Sequence, residues 1–391
     1  MRIVHVIDYF QPRLGYQETF LAREHARLGH DVCVITSDRY NPVVYSGNAA
    51  GPMLGKRIVG AGSSVEEGIK VWRLRALFEV PHAIWLRGLE DKIRELGPEM
   101  VIVHGVVNFS AIRIARMRRG GGAFKLVYDD HMTFANSLSP MRALYPLFRL
   151  AFSPSVQQAA DALVAILPES RQFMHVRYGI PLERIAVIPL GADDELFRFD
   201  ADARREVRRQ LGLDDDDVVF VYAGKIIPDK RLGLLVEAVA SLVSDGDKVK
   251  VMIAGSGAAP YMAELKQAIK ARGLGGRFVW HGAVPNEQLY RIYSAADAAV
   301  WPYGASIGQR EAMACGLPLV ISEDSGVTEL VENDNGLLFR DGDAGDLARQ
   351  MGRLLDTGLR QEMGRRSRRL VADRFSWRVI ARQFLELIPL R

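Results

Sequence analysis

From Val218 to Ile321 the chain alternates short apolar runs with helical patterns. Strand-like runs lie near 218–223, 249–254, 278–281, 298–303 and 319–321. Helical stretches near 232–243, 260–272, 287–296 and 307–315 separate them, and another is expected near 326–332. Strands joined only by helices must run parallel, and a parallel sheet has to be covered on both faces. The first of these helices shows how the cover is made, because Leu232, Leu235, Val236, Val239 and Val243 trace one apolar face. This alternation makes the second half an α/β domain with a parallel sheet covered on both faces. Ligands of such domains bind at the carboxyl ends of the strands.

Within that pattern, WPYGASIGQREAMACGLPLVIS carries the most chemistry. The strand ending at Tyr303 gives way to Gly304, Ala305, Ser306 and Gly308, which allow a sharp turn. A helix follows from Ile307 to Cys315, with Gly316 placed for a left-handed cap and Pro318 forbidding continuation. Unpaired N–H groups and the positive end of the helix dipole suit a phosphate there. Glu311 lies about one turn inside, where its carboxylate can accept hydrogen bonds from a ribose diol; a solvated helix charge is the plain alternative. AGKIIPDKR adds Lys225 and Lys230 after the first strand of this half, two cations able to neutralise a diphosphate, against the alternative of solvent-facing loop lysines. AGSGAAP is only a fragment of a dinucleotide fingerprint, so no NAD site is expected. The acidic run Asp214–Asp217 reads as a solvated turn rather than a metal site.

The first half begins with a βαβ pattern: a strand over Arg2–Asp8, a turn holding Leu14, Gly15 and Tyr16, a helix, and a strand over Asp31–Thr36. Residues 41–68 show no sustained periodicity and are expected to be a loop. A helix around 83–96, a strand Met100–His104, a helix Ser110–Arg118 and a strand Phe124–Tyr128 follow, and YDDHM puts Asp129, Asp130 and His131 at a strand end. Met141–Phe152 reads as an acceptor-side wall, with contact to a membrane surface as the alternative.

Length allows two cores. The halves differ in charge: residues 1–190 hold 23 Lys and Arg against 17 Asp and Glu, and residues 191–391 hold 28 against 30. No aromatic-interleaved basic stripe argues for nucleic acid. Cys33 and Cys315 lack disulfide or zinc spacing and read as buried apolar groups. The opening MRIVHVIDYF lacks a signal-peptide core, and no apolar run reaches the ~18 residues of a membrane span.

EAMACGLPLV, SGVTELV and NGLLF resemble the signature of the retaining GT-B glycosyltransferases, the group similar to glycogen synthase. GIPLERIAVIPLGADDELF, through Pro189, Gly191, Asp193 and Phe197, resembles that family's interdomain hinge. The resemblance implies an α/β GT-B fold: two Rossmann-like domains facing each other across a cleft, over 1–190 and 191–372, with residues 373–391 forming a helix carried back onto the first. It implies a nucleotide-diphosphate sugar as donor, an acceptor that is a glycan, a lipid-linked molecule or a small molecule, and no cofactor or obligatory metal. A cytoplasmic location, with peripheral contact at the inner membrane face left open, goes with it.

By the same resemblance Gly15 packs under the donor phosphates, although Tyr16 replaces the family's second glycine. His131 reaches the donor sugar, with Met132 where an acid is common. Lys225 takes the place of an Arg and Lys230 matches a Lys. The base is placed near Ala283 and Val284. Ser306, Ile307 and Gly308 complete the donor turn, and Glu311 matches the second of two family glutamates. The first falls on Tyr303, so Gln309 or Arg310 is expected to help read the sugar. His131, Lys225, Lys230 and Glu311 are the catalytic candidates. A non-catalytic nucleotide-sugar-binding subunit, or another GT-B enzyme such as a sugar-nucleotide epimerase, remains open.

Overall fold

The computed structural model describes residues 1–45, 54–80, 83–134, 137, 143–242 and 248–388. The chain forms two compact units, Met1–Leu190 together with Trp377–Arg391, and Gly191–Ser376. The second crossing therefore falls after Ser376 rather than after 372.

The first unit is built on β1 (Arg2–Val6), β2 (Asp31–Ser37), β3 (Gly62–Glu66), β4 (Ile69–Leu74), β5 (Ala76–Val80), β6 (Ala83–Leu86), β7 (Met100–His104), β8 (Lys125–Asp130), β9 (Ala162–Ala165) and β10 (Ile185–Val187). Its main sheet has the order β10-β9-β8-β7-β1-β2-β4-β3, and β5 pairs with β6 as a separate hairpin. All neighbours in the main sheet are parallel except β3 and β4. Successive strands build outward from β1 in opposite directions, so the topological switch lies between β1 and β7, where α/β sheets open a crevice. The helix Trp377–Glu386 lies against the helix Gln17–Arg27, with Trp377 stacked on Phe20 and Ile380, Ala381 and Phe384 buried in the same core.

Three expectations change here. Gly62–Glu66 is a strand rather than loop. It is an edge strand with four of its five residues exposed, so no apolar alternation marks it. Residues 46–53 of that stretch lie outside the described residues. Residues 83–86 belong to the β5–β6 hairpin, and the helix expected from 83 begins at Leu89. Met141 and Arg142 lie outside the described residues; beyond them the stretch expected as an acceptor-side wall forms two short helices, Tyr145–Ala151 and Ser153–Ala159, the second running past Phe152. Pro146 sits in a first turn, where its missing N–H costs nothing. Leu147 and Leu150 of this segment are exposed, Leu150 to 81%.

The second unit contains β11 (Val218–Ala223), β12 (Val249–Ala254), β13 (Phe278–Gly282), β14 (Ala298–Trp301), β15 (Leu319–Ser322) and β16 (Gly336–Phe339) in the order β13-β12-β11-β14-β15-β16, all parallel. Its switch point lies between β11 and β14. The helix expected near 326–332 is a single 3-10 turn, Thr328–Leu330, and Val243 lies outside the described residues. Beyond β11 and β12 the chains stay paired: Ile226 bridges Gly257, and a Cβ on Gly255 or Gly257 would sit 1.9 or 2.0 Å from the carbonyl oxygens of Gly224 and Ile226. Both glycines are therefore required by close backbone approach. No helix among the described residues is long and apolar enough to cross a membrane.

Candidate functional site

In the second unit the candidates gather at the switch point. The helix Ile307–Ala314 opens with a reciprocal cap, in which the Gly308 N–H donates to Ser306 Oγ at 3.2 Å and the Ser306 N–H to Gln309 Oε1 at 2.8 Å. Lys230 donates from Nζ to the Ala305 carbonyl at 3.1 Å. A Cβ on Gly304, whose φ is +77°, would stand 3.0 Å from that ammonium. Lys230 is half-buried, and burial together with the neighbouring charge of exposed Lys225 lowers its pKa. A surplus of positive charge thus faces a helix N-terminus, the arrangement that binds a phosphate.

Glu311 is buried on the inner side of the same helix. Asn286 Nδ2 donates to its Oε1 at 2.8 Å. Burial pushes its pKa up to about 7, helped by Asp193 and opposed by Asn286 and Tyr293. It is therefore no solvated helix charge. Val284 follows β13 and lines an open depression of about 530 Å³ with His281, Tyr290 and Arg291.

Tyr303 does not stand alone. The Arg231 guanidinium covers its ring at 3.9 Å and donates from Nη1 to both oxygens of Asp341, at 2.8 and 2.6 Å. The Ser322 hydroxyl also donates to Asp341, at 2.8 Å. Despite some desolvation, Arg231 and Ser322 hold Asp341 below its usual pKa. Arg231 keeps a left-handed backbone (φ 51°), a conformation a long side chain adopts at a cost.

In the first unit, Gly15 (φ 69°) ends the turn Pro12–Leu14 just before the helix Gln17–Arg27. Gln17 Nε2 donates to Asp129 Oδ2 at 2.9 Å, tying the start of this helix to the end of β8. His131 follows that strand with its side chain 40% exposed and its Nε2 3.5 Å from Asp129 Oδ2. Burial opposes charge on His131, but Asp129, Glu18 and Asp130 outweigh it and raise its pKa. Asp129 and Asp130 are both buried. Asp130 accepts from the N–H groups of Val106 and Met132, fixing the loop ends. Asp8, just past β1, is buried with its Oδ1 accepting from Ser110 Oγ at 2.7 Å. Burial pushes it to about 7.

Residues 203–370 match the model for glycosyl transferases group 1, and residues 19–196 match that for glycosyltransferase family 4. A D-inositol 3-phosphate glycosyltransferase of Nocardia farcinica is 32% identical over 312 residues, 76% of this chain and 68% of that protein. The chain belongs to the group 1 glycosyltransferases. A protein of the same name from Xylanimonas cellulosilytica is 32% identical over 262 residues, 64% of this chain but only 62% of the relative's own length. Among solved structures, Anabaena Alr3699/HepE in complex with UDP superposes with a TM-score of 0.75 at 19% identity, covering 99% of both chains. The fold is GT-B, with two Rossmann-like domains.

Gln309 is fully buried in the helix cap and donates from Nε2 to the Gly304 carbonyl, so it is committed to the turn. Arg310 is buried against Glu329 and Phe375 instead. It donates to Glu329 at 3.2 Å and lies over the Phe375 ring, and burial brings its pKa down to about 10. The side chain that reaches Tyr303 is Arg231. Its signal in the sequence was only the cation following Lys230. His5, His25 and His104 were also missed, because nothing local links three histidines so far apart in sequence.

Among the described residues no group of three His, Cys, Asp or Glu could hold a metal ion. The run Asp214–Asp217 is a turn closed by Asp217 Oδ2 on the Asp214 N–H at 2.8 Å.

Proposed function

We propose that this protein is a retaining glycosyltransferase that moves a hexose-type sugar from a nucleoside-diphosphate donor to an acceptor hydroxyl. The observation that carries the reading is the Lys230 ammonium bound to the turn opening the helix Ile307–Ala314, beside Lys225 and at the β11–β14 switch point. Lys225, Lys230 and the backbone of Ser306, Ile307 and Gly308 hold the diphosphate, and Glu311 accepts from the ribose. Gly15 and His131 contribute from the first unit, His131 to the sugar. Val284 marks the base side.

In this reading the bond from the anomeric carbon to the diphosphate breaks while the acceptor oxygen bonds on the same face. The acceptor proton passes to the departing phosphate oxygen. Positive charge from the lysines and the helix terminus stabilises that leaving group, so turnover needs no divalent metal. The neighbour solved with UDP supports a nucleotide-sugar donor. Tyr303 under Arg231, in place of a carboxylate, points to a sugar altered around its 3- and 4-hydroxyls. The same feature favours the second reading, a nucleotide-sugar-binding subunit without turnover.

A thermal-shift screen of nucleotide sugars followed by transfer from a labelled donor tests the proposal. A stabilising donor that transfers its sugar, with the anomeric configuration kept by NMR, is the expected result. Stabilisation without transfer to any glycan, lipid-linked or small acceptor would select the second reading, and inversion would remove the retaining assignment.

A further inference from the structure

A line of imidazoles runs through the first unit, from the helix Trp377–Glu386 to the end of β8. His25 Nε2 lies 3.1 Å from the Ala381 carbonyl oxygen, on the helix Trp377–Glu386. His25 Nδ1 lies 3.2 Å from His5 Nε2, and His5 Nδ1 lies 3.0 Å from His104 Nε2. His104 Nδ1 stands 3.0 and 3.1 Å from the two oxygens of Asp129, which in turn faces His131. His5 and His25 are fully buried, and His104 nearly so.

Counting hydrogens along this line gives a definite answer. A carbonyl and a carboxylate accept only, so both end nitrogens must carry a proton. Each of the two ring-to-ring contacts needs one more. The four bonds require four protons, and three neutral imidazoles supply three.

We propose that His5, His25 and His104 form a buried relay holding one proton more than three neutral rings carry, and that this relay positions Asp129 and through it His131. The surplus charge balances the Asp129 carboxylate, which is fully buried. Burial lowers the pKa of His5 well below its ordinary value and that of His25 to about 4, so the surplus rests at the His104–Asp129 end. Burial alone would raise Asp129, yet His104 and His131 hold it well below the usual carboxylate range. Gln17 Nε2 donates to the same oxygen of Asp129, Oδ2, that the ring of His131 approaches through Nε2. The His131 side chain is 40% exposed, so it stays open to a ligand while its Nε2 meets Asp129. Around His131 stand Asp129 and Asp130 from β8 and Glu18 from the first helix; His30 is a further titratable group near His25. The mechanistic meaning rests on His131 contacting the donor sugar, but the proton count does not.

The test is imidazole 15N NMR on the full chain labelled at histidine. At pH 7.5 His5 and His25 should appear as neutral rings protonated at Nε2, and His104 as protonated at both nitrogens. Three neutral rings at that pH would overturn the relay. In His104→Gln the amide can still donate to Asp129 but carries no charge, so His131 should titrate about one unit higher. An unchanged His131 titration there would remove the positioning role. His5→Gln cuts the line at its centre and should shift the Asp129-linked signals while the fold is retained. Should either variant fail to fold, the wild-type spectra still decide the count. Absence of sugar transfer by the wild-type protein would refute the glycosyltransferase reading and leave these spectra untouched.

Discussion

The two units present different chemistry at equivalent places. At the switch point of the second, between β11 and β14, the polar groups are lysines, a capped helix end and backbone N–H groups, partly open to solvent. At that of the first, between β1 and β7, they are buried titratable side chains: Asp8, Glu18, His104, Asp129 and the histidines behind them. One edge has permanent charge suited to holding an anion, with the buried Glu311 carboxyl on the same helix. The other has charge that depends on where protons sit. A shared fold therefore fixes where a ligand binds, while side-chain burial fixes what kind of interaction it meets.

The strongest way to break this comparison is pH. Asp8 and Glu311 both have folded pKa values raised to about 7, so the folded state binds more protons than the unfolded one. Their contribution is complete below the unfolded carboxylate pKa and is lost as pH rises through 7. Each should cost the wild type on the order of 3 kcal/mol between pH 4 and 8. Asp8→Asn and Glu311→Gln should each flatten urea-unfolding stability over that window. A profile unchanged by both would show that neither carboxyl is buried as described.

Next in size are the lysines. Lys225→Ala and Lys230→Ala should each weaken nucleoside-diphosphate binding by ~1.5–3 kcal/mol in calorimetry, Lys230 more because it is less exposed. His131→Ala should leave that affinity within ~0.5 kcal/mol while lowering transfer. Equal losses in all three variants would erase the distinction between the units.

A smaller effect is expected at Tyr303. Tyr303→Phe keeps the ring under Arg231, whereas Tyr303→Glu replaces the stacked contact with an ion pair. The second should change preference among nucleotide sugars by about tenfold, near 1.4 kcal/mol, and the first by less. If the protein prefers UDP-glucose and neither change moves that preference, Tyr303 only packs. Chelation should have no effect on transfer rates; activity lost to chelator and restored by Mg²⁺ or Mn²⁺ would replace the lysine mechanism with a metal-assisted one.

Much of this was legible in sequence because it is local. Alternating apolar runs specified the parallel strands, and Gly304, Ser306 and Pro318 marked the turn, start and end of one helix. What failed was either locally ambiguous or non-local. Gly62–Glu66 is an edge strand without a buried face, and AIWLRGLED carries helical residues although its first part pairs in a hairpin. The face that Arg310 takes depends on Glu329 and Phe375, and the alignment of His5, His25, His104 and Asp129 depends on three adjacent strands and a helix. No window of sequence contains those relations.

The helix Trp377–Glu386 has a consequence for how the protein is made. It supplies Trp377, Ile380, Ala381 and Phe384 to the core of the first unit and the carbonyl that ends the histidine line. On the ribosome that unit remains incomplete while the whole of Gly191–Ser376 is synthesised. The later-encoded unit is the first to have all its residues available, so the nascent chain carries an unfinished hydrophobic surface around Phe20 until the helix Trp377–Glu386 emerges, and premature termination near residue 376 would release a protein with one finished unit and one open core.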